Sequence, residues 1–328
     1  MTDYFFNLDL KALQAICQIH QKPKFLAKQV YQWVYEKNVL DFTQMHNISK
    51  ENQLWLKETF IFDNVNIKAE KVVGDLIYYA IQVNLSTLYC TVNLQNNQLA
   101  WYVSLNKNCA ISCAHCQGIQ QEWTNSELLH SLIVLQQTLN KKIQHLYLDT
   151  YFINQLDLEN FVYLVQRFND PDGFNIGKRK INWLTNGWNF DYEVWTAKTL
   201  MIDILFKVYT INPDVCSQWF PHLVLNKQKM MQNMQALSLD SRNAINLYYF
   251  LIKTKNDSVE DLKQLKKFIE NQKYYINLIN YENATTSKVM TKHLYNLVSI
   301  FANQIVIRQN NAFSDTATCL QKQNIFKK

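Results

Sequence analysis

Glycine is scarce: the 328-residue chain has 5, where average usage of about 7% would give roughly 23. Enzymes that cradle phosphates with Gly-rich loops, whether P-loop or dinucleotide-binding, are close to excluded by that number. With 4 prolines, collagen-like, mucin-like and Pro-rich scaffolds are excluded as well. Charged residues make up 18%, below the usual ~25%, yet a hydrophobic content of 48% is too high for a disordered chain. No window approaches the ~18 uncharged apolar residues of a transmembrane helix. The first thirty residues carry Asp3, Asp9 and Lys11 and lack the unbroken apolar stretch and small-residue cleavage site of a signal peptide. The expected location is the cytoplasm. Seven Cys, an odd number in a long chain, argue against a disulfide framework, so a tight Cys group reads as a metal or redox site.

What is present is distributed unevenly. Residues 253–328 hold 12 Lys/Arg against 6 Asp/Glu, while the rest of the chain is balanced, for a net charge of +6. A basic C-terminal part suits nucleic acid, because Lys and Arg neutralise phosphates. Residues 8–59 have helical spacing. Leu10, Leu13, Ile16 and Cys17 form one stripe, Phe25, Val30, Trp33 and Val34 a second beyond Pro23, and Leu54, Leu56 and Phe60 a third from Ser49. Residues 65–94 are short β-branched and aromatic runs broken near Gly74-Asp75 and Asn84, which predicts an antiparallel meander.

Strands and helices then alternate. Strands are predicted at 99–105, 143–150, 180–185, 203–210, 245–253, 274–280 and 304–308. Helices are predicted near 125–140, with Thr124 and Glu127 as a capping box, and near 158–168, 191–199, 227–238, 258–271 and 287–302, with Asp257 and Glu260 at the start of the 258–271 helix. Such alternation with buried strands indicates parallel βαβ units. Six or seven of them suggest an α/β open or partial barrel, since a complete eight-fold barrel usually needs ~250 residues.

The strongest local signal is Cys109-Ala-Ile-Ser-Cys113-Ala-His-Cys116, placed after a predicted strand and before a predicted helix. Three thiolates in eight residues can wrap one small inorganic centre, and thiolate is a soft ligand suited to an iron–sulfur cluster or to zinc. A four-iron cluster would keep one iron without a protein ligand. Zinc would need a fourth donor, such as Cys90, and a chance grouping of buried thiols is the third reading.

Cys-x3-Cys-x2-Cys with His115 before the third Cys, at the first strand–helix junction of a β/α array, resembles the radical-SAM signature. The chain as a whole resembles the RlmN/Cfr family of radical-SAM RNA methyltransferases, as a divergent member. The segments that carry the likeness are QKPKFLAKQVYQWVYEKNVLDFTQMHNISKE (21–51), CAISCAHCQGIQQEW (109–123), KRKINWLTNG (178–187), YYINLINYEN (274–283) and IVIRQNNAFSDTATC (305–319). The resemblance implies a partial (β/α)6-type radical-SAM barrel over 99–328 with a Cys-bearing C-terminal tail. It also implies an N-terminal helical RNA-binding-like module over 1–62 and a β meander over 63–98.

It further implies one 4Fe–4S cluster on Cys109, Cys113 and Cys116, with S-adenosylmethionine at the open iron. Cys319 matches the methyl-carrying Cys, and Asn283 stands for a cofactor-binding Asn. The implied reaction methylates an adenine ring carbon of large-subunit ribosomal RNA, with transfer RNA as a second substrate. The implied partners are a reductase or a flavodoxin- or ferredoxin-type electron donor, for a monomer with no membrane association. Lys22, Lys24, Lys28 and Lys37 are the first RNA contacts to consider.

The chain also departs from the family pattern. Tyr102 falls where the resolving Cys belongs, and Tyr89, next to Cys90, where the proton-accepting Glu belongs. Thr150-Tyr151-Phe152-Ile153-Asn154 replaces a Gly-Glu-Pro that grips the cofactor's amino group, Leu184 replaces a Ser, and Tyr209-Thr210-Ile211 replaces Ser-Leu-His. A phenol cannot attack sulfur as a thiolate does, and it is a poor base at neutral pH. Two other readings follow: a catalytically degenerate iron–sulfur RNA- or ribosome-binding paralogue, and a radical-SAM enzyme of altered reaction type.

Overall fold

The computed structural model describes residues 3–95, 98–107, 122–150, 155–187, 201–219, 225–240, 245–251, 256–270 and 274–280. The chain divides into two compact units, one of residues 1–107, 122–146 and 156–181, the other of 108–121, 147–155 and 182–328.

In the first unit, helix α1 (Leu10–Ile19) starts where the Asp9 carboxylate accepts the Ala12 N–H at 2.7 Å, one of the orphan donors of a helix start. Pro23 precedes α2 (Lys24–Tyr35), and Ser49 caps α3 (Lys50–Thr59). Leu13 and Cys17, Leu26, Val30 and Val34, and Leu56 are buried as the helical spacing requires. Phe25 and Leu54 are not: they are 65% and 59% exposed. At about 100° per residue, Phe25 lies roughly 140° around the helix from Val30, and Leu54 about 200° from Leu56. The core of this module is aromatic, with Phe5 packed against Phe6, Tyr31, Phe42, Phe60 and Phe62.

Helix α4 (Asn125–Leu139) and helix α5 (Gln155–Asn169) belong largely to the same unit. The Thr124–Glu127 capping box is formed as its sequence predicts. The buried Arg167 guanidinium on α5 donates to the phenol oxygens of Tyr31 and, at 2.6 Å, Tyr35, while Tyr31 donates to Asp170 at 3.2 Å. Burial pushes both phenols up, Tyr35 to about 12, so they remain neutral partners of the guanidinium.

Strands β1 (Asp3–Tyr4) and β2 (Phe60–Ile61) pair in parallel. Strands β3 (Val65–Val73), β4 (Leu76–Val83), β5 (Ser86–Gln95) and β6 (Gln98–Ser104) form the expected antiparallel meander. Its first two turns fall where a left-handed residue is available, Gly74 at φ 60° and Asn84 at φ 51°.

Strand β7 (His145–Asp149) starts in the first unit. In the second unit its remainder is followed in spatial order by β8 (Ile181–Thr185), β9 (Asp203–Val208), β10 (Ile245–Leu251) and β11 (Tyr274–Asn280). The pairings β8–β9, β9–β10 and β10–β11 are all parallel. Helices α6 (Pro213–Trp219), α7 (Lys227–Asp240) and α8 (Val259–Ile269) alternate with these strands. Helix α6 was not expected from periodicity; its signal is Pro at the first helical position after Asn212, whose side chain accepts the Asp214 N–H at 2.9 Å. Helix α8 is capped by Ser258 and Asp261, one residue later than Asp257 and Glu260. The helices predicted near 191–199 and 287–302 and the strand at 304–308 lie outside the described residues. No described helix is long and apolar enough to cross a membrane.

Candidate functional site

Cys109, Cys113, Cys116, Asn283 and Cys319 lie outside the described residues. The residues flanking the cysteine segment are described, and they are pinned to one another. Trp123 N–H donates to Leu105 O at 2.9 Å, and Asn106 pairs with Glu122 as an isolated antiparallel bridge. Lys107 Nζ lies 3.0 Å from Glu127 Oε1 and 4.8 Å from the centre of the Trp123 ring. Glu127 also accepts the Thr124 N–H at 2.9 Å and Asn84 Nδ2 at 3.3 Å. Asn84 continues to Asp63 at 3.0 Å, and Asp63 accepts Ser126 Oγ at 2.5 Å. One carboxylate thus serves the helix cap, the lysine that leads into the cysteine segment and the β4–β5 turn.

The meander fixes the direction of the residues at the two substituted positions. Thr91 is the cross-strand partner of Tyr102, and Cys90 that of Val103. Partners in a ladder share a face and successive residues alternate. Tyr89, Thr91, Asn93 and Tyr102 therefore share one face, and Cys90, Val92, Trp101 and Val103 the other. Thr91 and Asn93 are buried, and neither the Thr91 hydroxyl nor either side-chain amide atom of Asn93 has a hydrogen-bond partner. Cys90 is buried too. It faces away from Tyr89 and Tyr102. Cys17 and Cys216 are likewise buried, and burial pushes both thiols up, away from the thiolate form.

In the second unit, the C-terminal ends of the parallel strands are polar. Lys207 on β9 is wholly buried and donates to the carboxylate of Asp149, the last residue of β7. Thr150 N–H donates to Leu184 O at 3.1 Å, and the buried Thr150 hydroxyl has no partner. Thr185, Asn186 and Thr210 are buried at the ends of β8 and β9. Sequence reasoning missed Lys207 and Asp149. The signal available was a lysine inside an otherwise apolar strand, DILFKV. Open α/β sheets bind ligands at this end.

Of the four lysines considered for RNA, Lys24 is exposed at the start of α2. Lys22 is 17% exposed and 2.7 Å from Glu51, Lys28 is 3.6 Å from Asp172, and Lys37 Nζ lies 3.6 Å over the Trp33 ring. Among the described residues no three His, Cys, Asp or Glu side chains converge as a metal site.

Comparison with known proteins first defines the class. The chain superposes on a radical SAM methyltransferase from Sphaerobacter thermophilus with a TM-score of 0.80 over 93% of this chain and 94% of that one, at 16% identity. This likeness shows that the two chains share one α/β fold. Residues 5–61 match the family described as the ribosomal RNA large subunit methyltransferase N-terminal domain. Proteins named dual-specificity RNA methyltransferase RlmN are similar along most of their length. That of Aliarcobacter butzleri is 24% identical over 92% of this chain and 91% of its own, and that of Campylobacter hominis 23% over 94% of each. One named as probable from Spiroplasma citri is 24% identical over 84% of this chain and 83% of its own. Along most of its length the chain is thus similar to proteins named RlmN.

The radical SAM methyltransferases to which the chain is similar imply S-adenosylmethionine and a 4Fe–4S cluster, and the residue types present here fit both. Cys109, Cys113 and Cys116 are a soft, closely spaced donor set for iron. At the strand ends, opposite charges and an orphaned buried hydroxyl suit a polar ligand carrying both signs.

Proposed function

We propose that this protein is a radical-SAM RNA methyltransferase acting on an adenine ring carbon of large-subunit ribosomal RNA, with transfer RNA as a second substrate. The observation that carries the reading is the radical-SAM fold combined with a retained three-Cys segment whose flanks are tied together by Lys107 and Glu127. The bound cluster and S-adenosylmethionine would supply one-electron cleavage and the methyl group. The chain's own part is placement. Cys109, Cys113 and Cys116 would hold iron as thiolates, Asn283 would contact the cofactor, and Cys319 would carry the methyl group. Lys22, Lys24, Lys28 and Lys37 lie on the helical module, where their ammonium groups meet RNA phosphates. The protein works as a cytoplasmic monomer fed by a reductase or a flavodoxin- or ferredoxin-type donor.

A second reading, a cluster-bearing RNA-binding paralogue that no longer completes methyl transfer, is favoured by one observation. Tyr89 and Tyr102 share a face, and the nearby thiol of Cys90 is on the other. Anaerobic reconstitution with iron and sulfide, reduction in the presence of S-adenosylmethionine, and an assay for 5′-deoxyadenosine test the first half of the chemistry. Formation that is lost in Cys113→Ala supports the enzyme; a cluster without cleavage supports the paralogue. Methylated Cys319 in the expressed protein, detected by mass spectrometry, separates methyl transfer from other radical chemistry.

A further inference from the structure

Arg167 on α5 is buried, its side chain 3% exposed, and it reaches across to α2. Its Nη1 donates to the phenol oxygen of Tyr31, and its Nη2 to that of Tyr35 at 2.6 Å. Tyr31 in turn donates to Asp170 at 3.2 Å, and Asp170 lies 3.5 Å from Nη1. The guanidinium carbon sits 5.5 Å and 5.6 Å from the centres of the two phenol rings. The buried Nε has no hydrogen-bond partner.

Burying a guanidinium seldom adds net stability, because desolvation offsets the attraction and apolar residues of similar volume serve as well or better. What such a group can supply is a choice of one arrangement over its neighbours. The guanidinium is planar, with its donors in a fixed fork. Tyr31 and Tyr35 are four residues apart and stand one above the other on one face of α2. Sliding α2 by one turn, about 5.4 Å, would offer the fork Ala27 and Tyr31, or Tyr35 and Val39. Apolar packing, such as that of Phe62 on Phe5 and Phe6, carries no comparable direction. Other polar ties run the same way: Tyr163 on α5 donates to Asn7 O at 3.1 Å, and Gln136 on α4 to Asn38 Oδ1 at 3.0 Å.

We propose that Arg167 is a positioning residue: its fork holds α2, and with it the lysines of the helical module, in one register on α5, so that bound RNA enters the reaction in one pose. The RNA step rests on the function proposed above; the register does not.

The test uses the full, cluster-reconstituted chain with Arg167→Met, which keeps the bulk and loses the fork, and Arg167→Lys, which keeps only the charge. Nitroxides on unnatural amino acids at the exposed positions 15 on α1 and 159 on α5 report the distance between module and helix. The wild type should give one narrow distribution, and both variants a broadened or displaced one. With a large-subunit ribosomal RNA transcript, single-turnover methylation at saturating RNA should fall about tenfold or more in both variants. RNA affinity and RNA-independent 5′-deoxyadenosine formation should stay at the wild-type level, whereas a merely structural role would lower all three together. Should Arg167→Met not fold, the near-isosteric Tyr35→Phe, which removes one acceptor of the fork, takes its place. A wild-type distance distribution or methylation rate in the variant, full rescue by Arg167→Lys, or parallel loss of all three readouts overturns the proposal. A wild type without methylation counts against the function proposed above, and the distance measurement still judges the register.

Discussion

Cys90 and Tyr102 sit on neighbouring strands of the meander and on opposite faces of it, because Cys90 pairs with Val103 and Tyr102 with Thr91. Turning one of them to the other's face would need a one-residue slip of the whole ladder, which would move every buried side chain of β5 to the wrong side. The thiol is a core group of β5. Cys90→Ala is expected to lower the unfolding free energy by about 1–2 kcal/mol while 5′-deoxyadenosine formation and RNA methylation stay at the wild-type level. A tenfold fall in either product in this variant would place Cys90 in the chemistry.

Glu127 joins three pieces of the first unit: the start of α4, the β4–β5 turn at Asn84, and Lys107. Removing its charge leaves the largely buried ammonium of Lys107 with a neutral partner and weakens the charge-assisted hydrogen bond from the Thr124 N–H. Glu127→Gln should destabilise the protein by about 1–3 kcal/mol in urea unfolding. Iron content after reconstitution should drop as well, since Lys107 leads directly into the cysteine segment. An unchanged urea midpoint would count against the junction described here.

His130 is buried between the Phe6 and Phe62 rings, 5.4 Å and 5.8 Å from its own ring centre, and its Nδ1 has no hydrogen-bond partner. Burial holds the imidazole down to about 4, against a smaller upward pull from Asp63. The unfolded chain takes up this proton near pH 6.5 and the folded chain only near 4. The contribution of His130 to stability is therefore complete above about 6.5 and is lost as pH falls through that window, by about 3 kcal/mol at most. His130→Leu should flatten the dependence: the drop in unfolding free energy from pH 7 to 4.5 should be about 2–3 kcal/mol smaller than in the wild type. Equal drops in the two proteins would show that another group controls acid sensitivity in this range.

Gly187 follows β8 at φ 84°, and a Cβ there would meet the Phe206 ring at 2.5 Å and the Met230 side chain at 3.1 Å. Its carbonyl accepts Asn233 Nδ2 at 2.8 Å, so the backbone has little room to retreat. Gly187→Ala is predicted to cost about 2–4 kcal/mol, read as a lowered thermal midpoint. Combining it with Phe206→Leu should recover part of the loss, by removing the clash while leaving the left-handed strain. A double variant less stable than the sum of the two singles predicts would rule out steric conflict as the cause.

The sequence by itself determined most of the described elements and marked a candidate inorganic site. Thr124 and Glu127 announce a helix start, Gly74 and Asn84 announce turns, and the alternation from residue 98 onward announces parallel units. These signals are local, each confined to a helical turn or a strand. The three-Cys segment is local in the same sense, and so is the one-residue shift at Ser258, where two acidic residues in the first turn offered competing caps. Only the tertiary structure decided which side chains meet. Arg167 lies 136 residues from the phenol of Tyr31, and Lys207 lies 58 residues from Asp149. The outward turn of Phe25 and the inward face of Cys90 depend on helix packing and strand register. A charge inside an apolar strand or a thiol beside a tyrosine reads the same in any register, and its partner is chosen only when the strands pair and the core closes.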